Sequence, residues 1–135
     1  MASGGVERLR RRADYLRVQA ANRRAALPGL LLQAAPLTVS SDIAIPSAGA
    51  VPALRVGFTA SRKVGNAVLR NRARRRLKAL ASAVLPRHAL PGHDYVLVAR
   101  QATPQREFAA LRRDLESALK KLKLWQAAAG TETAA

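Results

Sequence analysis

The side chains in this sequence that could perform acid–base or nucleophilic chemistry are few. There are two histidines, His88 and His93, eight carboxylates and no cysteine. His93 and Asp94 are adjacent and invite reading as an acid–base pair. Neighbouring residues on an extended chain, however, project to opposite faces and do not readily share a substrate. Metal-assisted phosphate hydrolysis wants clustered carboxylates. Here Glu107, Asp114 and Glu116 are spread among Arg112, Arg113 and Lys120 on one helical stretch, where ion pairing is the ordinary use. Ser61 and Ser82 have no base at a recognisable spacing, and Gly57 and Gly65 lack the spacing of a phosphate loop. The absence of cysteine removes disulfides, thiolate zinc sites and a cysteine nucleophile together. The expectation is therefore no catalytic residue and no assured metal site.

The chemistry the sequence does offer is the binding of anions. Twenty-four Lys and Arg oppose eight Asp and Glu, a formal charge of +16, and nineteen of the twenty-four are Arg. From Ile43 to His93 no carboxylate occurs, while Arg55, Arg62, Lys63, Arg70, Arg72, Arg74, Arg75, Arg76, Lys78 and Arg87 all lie there. A second basic cluster holds Arg8, Arg10, Arg11 and Arg12, with Arg17 just beyond. Base bias in a genome accounts for many arginines, but not for 51 consecutive residues without an acid. A surplus of this size points to a polyanionic partner. With 49% hydrophobic residues the chain can also build a core. No apolar run approaches the roughly 18 residues of a membrane span, and no secretory signal is visible behind Met1. The expectation is one soluble domain, cytoplasmic, with no membrane partner.

The elements that must position these arginines can be outlined from periodicity. Ala13 to Asn22 predicts a first helix, and Leu30 to Leu37 a strand entered through a Pro28-Gly29 turn. Thr38 to Ala53 reads as loop, with Ile43 to Ile45 as a candidate short strand. Leu54 to Ala60 alternates as a half-buried strand. From Asn66 to Leu85, Leu69, Ala73, Leu77, Leu80 and Val84 make one apolar stripe on a helix whose other faces carry the arginines, and Pro86 is expected to end it. Asp94 to Arg100 reads as a buried strand. Thr103-Pro104 reads as the cap and first turn of a last helix bearing Phe108, Leu111, Leu115, Ala118 and Leu122. These elements make an α+β fold: a single two-layer sandwich of about four strands and three helices, in the order α-β-β-β-α-β-α. Residues 1–7 and 124–135 are expected to be flexible termini around a domain at 8–123.

The segment from Arg55 to Leu77 resembles the signature of the bacterial ribonuclease P protein component. It holds an Arg70-Asn71-Arg72 triplet on a helix, preceded by a Lys63-Val64-Gly65-Asn66-Ala67-Val68 turn. Arg8-Leu9 with Asp14-Tyr15 resembles the family's first helix, and Gly92 to Arg100 its last strand. The resemblance implies the protein subunit of a ribonucleoprotein endonuclease that removes the 5′ leader of precursor tRNA. In that family the partner RNA carries the chemistry with magnesium, and the protein binds no cofactor alone. It also implies a left-handed crossover between the parallel strands, against the usual hand. The implied partners are ribonuclease P RNA and precursor tRNA, with no obligate protein partner.

On that resemblance Arg62, Lys63, Asn66, Arg70, Asn71, Arg72, Arg74, Arg75, Arg76 and Lys78 are candidates for contact with the catalytic RNA, because guanidinium forks bind phosphate in a bidentate way. Asn66 reads equally well as a helix cap. Tyr15 is the candidate for stacking on a leader base, with a core role as its alternative. Arg17, Gln19 and Gln33 join it, since Gln19 and Leu30 stand where relatives often carry further aromatics. The rival readings are a ribosomal-type structural RNA-binding protein and an autonomous nuclease.

Overall fold

The computed structural model describes residues 6–9, 11–36, 54–89 and 92–125. Arg10, the candidate strand Ile43 to Ile45 and the whole of the Thr38-to-Ala53 loop lie outside them. Strand β1 is Val6–Arg8, helix α1 is Arg12–Ala20, β2 is Arg23–Leu27, β3 is Leu30–Pro36 and β4 is Leu54–Thr59. A 3-10 turn at Arg62–Val64 leads into α2, Ala67–His88, followed by β5, His93–Ala99, and α3, Phe108–Lys121. The strands form one five-stranded mixed sheet in the order β1-β4-β5-β3-β2. Strand β4 lies parallel to both β1 and β5, while β3 runs antiparallel to β5 and to β2.

Alternation along the strands divides the sheet into two unlike faces. Leu30, Leu32 and Ala34, Leu54 and Val56, and Tyr95 and Leu97 face one way. There they bury Ala73, Leu77, Leu80, Val84 and Leu85 of α2 and Leu111, Leu115, Ala118 and Leu119 of α3. On the other face Ala35 and Val96 pack with Leu9 and Val18, and Tyr15 and Val98 flank them. Helix α1 covers only part of this second face and has a single fully buried side chain, Val18.

Ion pairing supplies what α1 lacks in apolar contact. Asp94 of β5 is wholly buried. It accepts from Arg55 of β4 at 2.8 Å (Nε) and 2.7 Å (Nη2), and also from Nη2 of Arg17 on α1. Arg17 reaches on to the Pro36 carbonyl at 3.0 Å, and Asp14 approaches Arg55 at 3.4 Å. The hydrogen bond to Asp94, partly offset by burial and reinforced by the charges of Asp94 and Asp14, raises the Arg55 pKa above its ordinary value. A raised arginine pKa means that the fold favours the charged form; the contribution is fully present below the unfolded value and lost only in strong alkali. Arg17, expected to touch a leader, is instead engaged inside the protein.

A second network fastens α2 to the far end of the sheet. Asp114 of α3 is buried and accepts from the Gly29 amide at 2.9 Å and from Arg106 Nε at 2.7 Å. Thr103, also buried, donates to the Gly29 carbonyl at 2.6 Å and accepts from the Arg100 amide at 2.8 Å. Arg76 closes the network by donating to the carbonyls of Thr103, at 2.8 Å, and of Arg106. Burial, with Arg72 nearby, lowers the Arg76 pKa below the usual arginine value. The guanidinium placed by sequence among the RNA contacts is thus a bracket between helix and loop.

Several elements differ from the sequence expectation, each for a tertiary reason. Strands β1 and β2 are not among those expected; with the three expected strands that fall among the described residues they make five, and β1 precedes α1. The Arg23–Leu27 stretch has no strand-like alternation, and it is a strand because Pro28-Gly29 folds it back in register on β3, Leu27 opposite Leu30. Helix α1 accordingly stops at Ala20. Pro86 does not end α2: it removes one donor in the last turn, next to the exposed Ser82, and the Ala89 amide still bonds Leu85 at 3.1 Å. Thr103 caps no helix, since α3 starts at Phe108 behind Glu107. The packing also passes residue 123: Leu124 is buried, and Trp125 stacks on His88 at 4.1 Å between ring centroids.

Replacing Asp94 by Asn should cost about 2 to 4 kcal/mol, because two guanidiniums would then face a neutral group in a largely dry site. Urea unfolding measures this, and a loss below about 0.5 kcal/mol would mean that α1 is held by other contacts. Arg76→Ala should cost about 1 to 2 kcal/mol by the same measurement, while Arg75→Ala leaves stability within about 0.5 kcal/mol. Equal effects of the two would show that the carbonyl bracket contributes nothing.

Candidate RNA interface

Helix α2 is started by three small residues, each with a local task. Ser61 accepts from the Lys63 amide at 3.3 Å and opens the 3-10 turn. Gly65 follows at φ 143°, a conformation that disfavours a side chain, and a Cβ there would meet Leu69 at 2.5 Å. Asn66 then accepts from the Leu69 amide at 3.0 Å as the N-cap of α2. Its oxygen is therefore spent on the helix, leaving the amide nitrogen to donate elsewhere.

The turn and the helix together present a dense cationic surface. Arg62, Lys63, Asn66, Asn71, Arg72, Arg75 and Lys78 are all exposed. Arg70 and Arg74 are half-buried and braced, Arg70 on the Gly65 carbonyl at 3.3 Å and Arg74 on Asn71 at 3.0 Å. Among the described residues none of these seven cations pairs with a carboxylate. Unneutralised like charges held this close raise the local positive potential and favour a multivalent anion. Of the ten candidates, nine sit on this surface, and Arg76 alone is turned inward.

The other face of the sheet carries an opening beside α1. Arg12, Tyr15, Leu16, Gln19 and Thr59 line a cavity of about 450 Å³. The Tyr15 ring lies directly over Gly57, where a Cβ would come within 2.5 Å of it, and its hydroxyl donates to the Leu9 carbonyl at 3.4 Å. Tyr15 is half-buried, so the core reading and the surface reading each describe one side of the ring. Gln33 lies on the same face, paired across the ladder with Val96. A second cavity of about 580 Å³, lined among others by Ser61, Lys63, Val98, Arg100 and Gln101, opens at the ends of β4 and β5. Thr59 and Val98 are cross-strand partners, so the two openings abut. Leu16, Thr59 and Arg100 join these openings without having been expected there; of the three only Thr59 carried a signal, on the polar side of the β4 alternation.

The N-terminal basic residues divide. Arg12 joins the α1 cavity, Arg11 is exposed, and Arg8 stands 5.4 Å from the centroid of the Phe58 ring. The histidines stand apart from Asp94: His88 stacks on Trp125, and His93 lies on the opposite side of β5, near Tyr95. Among the described residues no three His, Cys, Asp or Glu side chains come together in a metal-binding group.

Comparison with known proteins agrees with this arrangement. Residues 5–123 match the ribonuclease P family. The ribonuclease P protein component of Paramagnetospirillum magneticum is 50% identical over 117 residues, covering 87% of this chain and 83% of that protein. That of Ruegeria pomeroyi is 45% identical over 122 residues, covering 90% of each. The RNase P protein of Staphylococcus aureus superposes with a TM-score of 0.66 at 24% identity, over 88% of this chain and 97% of its own. The protein of Thermotoga maritima does so with a TM-score of 0.63 at 21% identity, over 87% and 96%. With the match extending over nearly all of the described fold, the chain belongs to the ribonuclease P protein family.

Proposed function

We propose that this protein is the subunit that assembles with the catalytic RNA of ribonuclease P and receives the 5′ leader of precursor tRNA, promoting endonucleolytic removal of that leader. One observation carries the division of labour: two polar surfaces, a cationic helix on one side of the sheet and a ring-floored cavity on the other, with Lys63 where they meet. On the helix, Arg72 and Arg75 offer planar forks to phosphates of the catalytic RNA, with Asn71 between them as a short donor and acceptor. In the cavity, Tyr15 offers an aromatic surface to an unpaired base and Gln19 an amide to base edges, while Gln33 stands outside it on the same face of the sheet. Arg12 and Lys63 stand at the two openings, suited to leader phosphates.

The protein's own carboxylates support an RNA-borne reaction. Asp14, Asp94, Asp114 and Glu116 are each paired with an arginine, which leaves them poorly placed to act as bases. They do not suit a magnesium site either, and in this reading the ions of the reaction are held by RNA. No helix among the described residues is long and apolar enough to cross a membrane, which accords with work in the cytoplasm beside newly made tRNA.

Reconstitution with a bacterial ribonuclease P RNA at low magnesium tests the proposal. The protein should stimulate precursor cleavage, and Arg72→Ala and Arg75→Ala should each weaken assembly by about 1 to 3 kcal/mol without loss of fold. A protein that binds the RNA yet never stimulates cleavage would support a merely structural role. Tyr15→Ala should spare assembly and weaken binding of precursor tRNA by about 1 to 3 kcal/mol, the worth of one stacked base. That loss should vanish with leaderless tRNA; an equal loss for both substrates would remove Tyr15 from the leader path.

A further inference from the structure

A third cavity lies away from the two openings beside α1 and at the ends of β4 and β5, between the edge strand β1, β4 and the second half of α2. It measures about 290 Å³ and is lined by Arg8, Val56, Phe58, Lys78, Ala81 and Ser82. Val56, Phe58 and Ala81 make its apolar floor. Arg8 and Lys78 are exposed, and among the described residues neither pairs with a carboxylate. The Arg8 guanidinium stands over the Phe58 ring at 5.4 Å, a cation–π arrangement that holds a planar cation at the mouth. Ser82, also exposed, adds a hydroxyl that both donates and accepts.

The position of this cavity on α2 links it to the cationic helix. Asn71, Arg75, Lys78 and Ser82 follow one another at steps of four, three and four residues, so they form a single stripe along the helix. All four are exposed. The stripe runs about 16 Å along the axis, from the Arg-Asn-Arg triplet straight into the cavity. A polyanion lying along it reaches an apolar floor with two uncompensated cations at its rim. That combination fits a flat aromatic group carrying phosphate. An acidic peptide supplies the charge without the ring, and the volume is far too small for a duplex.

We propose that this cavity takes one unpaired nucleotide of the partner RNA, its base on the Val56–Phe58–Ala81 floor and its phosphates between Arg8 and Lys78. The proposal rests on the reading that the partner of α2 is RNA. It predicts a contact specified by shape as well as charge, at the opposite end of the helix from Gly65 and Asn66.

The chain's lack of cysteine allows a direct test. A Ser82→Cys variant carrying a photoactivated crosslinker should join one short stretch of the catalytic RNA in the reconstituted complex. Ser117→Cys, on the exposed side of α3, should give a low and scattered yield. Ser82→Tyr, which fills the cavity without changing charge, should weaken assembly about tenfold while leaving its salt dependence unchanged. Lys78→Ala should lower the logarithmic salt slope by about one. If wild-type protein binds the RNA and Ser82→Tyr binds it equally well, the pocket is overturned alone. Crosslinking no better than from Ser117→Cys overturns it too, as does displacement of the RNA from that site by an acidic peptide rather than an unpaired oligonucleotide. Failure of the wild-type protein to bind the RNA overturns the RNA reading and the pocket together.

Discussion

Asp94 is the constraint on which the rest of the arrangement depends. A carboxylate removed wholly from water is tolerable only when it is surrounded by donors, and Asp94 is surrounded by two arginines from two other elements. Helix α1 has one fully buried side chain, too little to dock it by apolar contact alone. The Arg17 and Arg55 bonds set where that helix lies on the sheet, and with it the position of the Tyr15 ring above Gly57. The cavity beside α1 thus owes its shape to an ion cluster on the same face of the sheet. The bare Cα of Gly57 completes the fit, because any side chain there would push the ring outward.

The same use of carboxylates explains the surface charge. Four of the eight acidic residues are engaged with arginines within the fold or along α3. Among the described residues no ion pair involves a cation of α2, and the 51-residue stretch from Ile43 to His93 supplies no carboxylate of its own. The positive helix is therefore a product of two facts together: where acids are missing from the sequence, and where the fold spends those it has. Coulombic repulsion along α2 is the cost, offset by the apolar stripe from Ala73 to Leu85 that anchors it to the sheet.

Much of this is legible in the order of the amino acids. The α2 stripe, the β4 alternation and the buried β5 run are local periodicities, and they survive folding because each element buries one face. The Gly65–Asn66 start of α2 is legible for the same reason. What stays hidden depends on partners distant along the chain. Arg23–Leu27 becomes a strand only against β3, and Val6–Arg8 only against β4. Arg17 and Arg76 look like their neighbours in sequence, since nothing local distinguishes an arginine that will meet a carboxylate or a carbonyl from one left to meet phosphate. Thr103-Pro104 has the pattern of a helix start, but the Thr103 hydroxyl is drawn to the Gly29 carbonyl 74 residues away.

The carbonyl bracket made by Arg76 has a consequence for how the two surfaces cooperate. Thr103, whose carbonyl it holds, is also tied to Gly29 in the β2–β3 hairpin and to the amide of Arg100 at the rim of the second cavity. The cationic helix and the mouth at the ends of β4 and β5 are consequently joined by hydrogen bonds through Thr103 and Gly29. The conformational entropy of keeping the two surfaces in register is given up when the chain folds, so a polyanion spanning both meets a preorganised receptor.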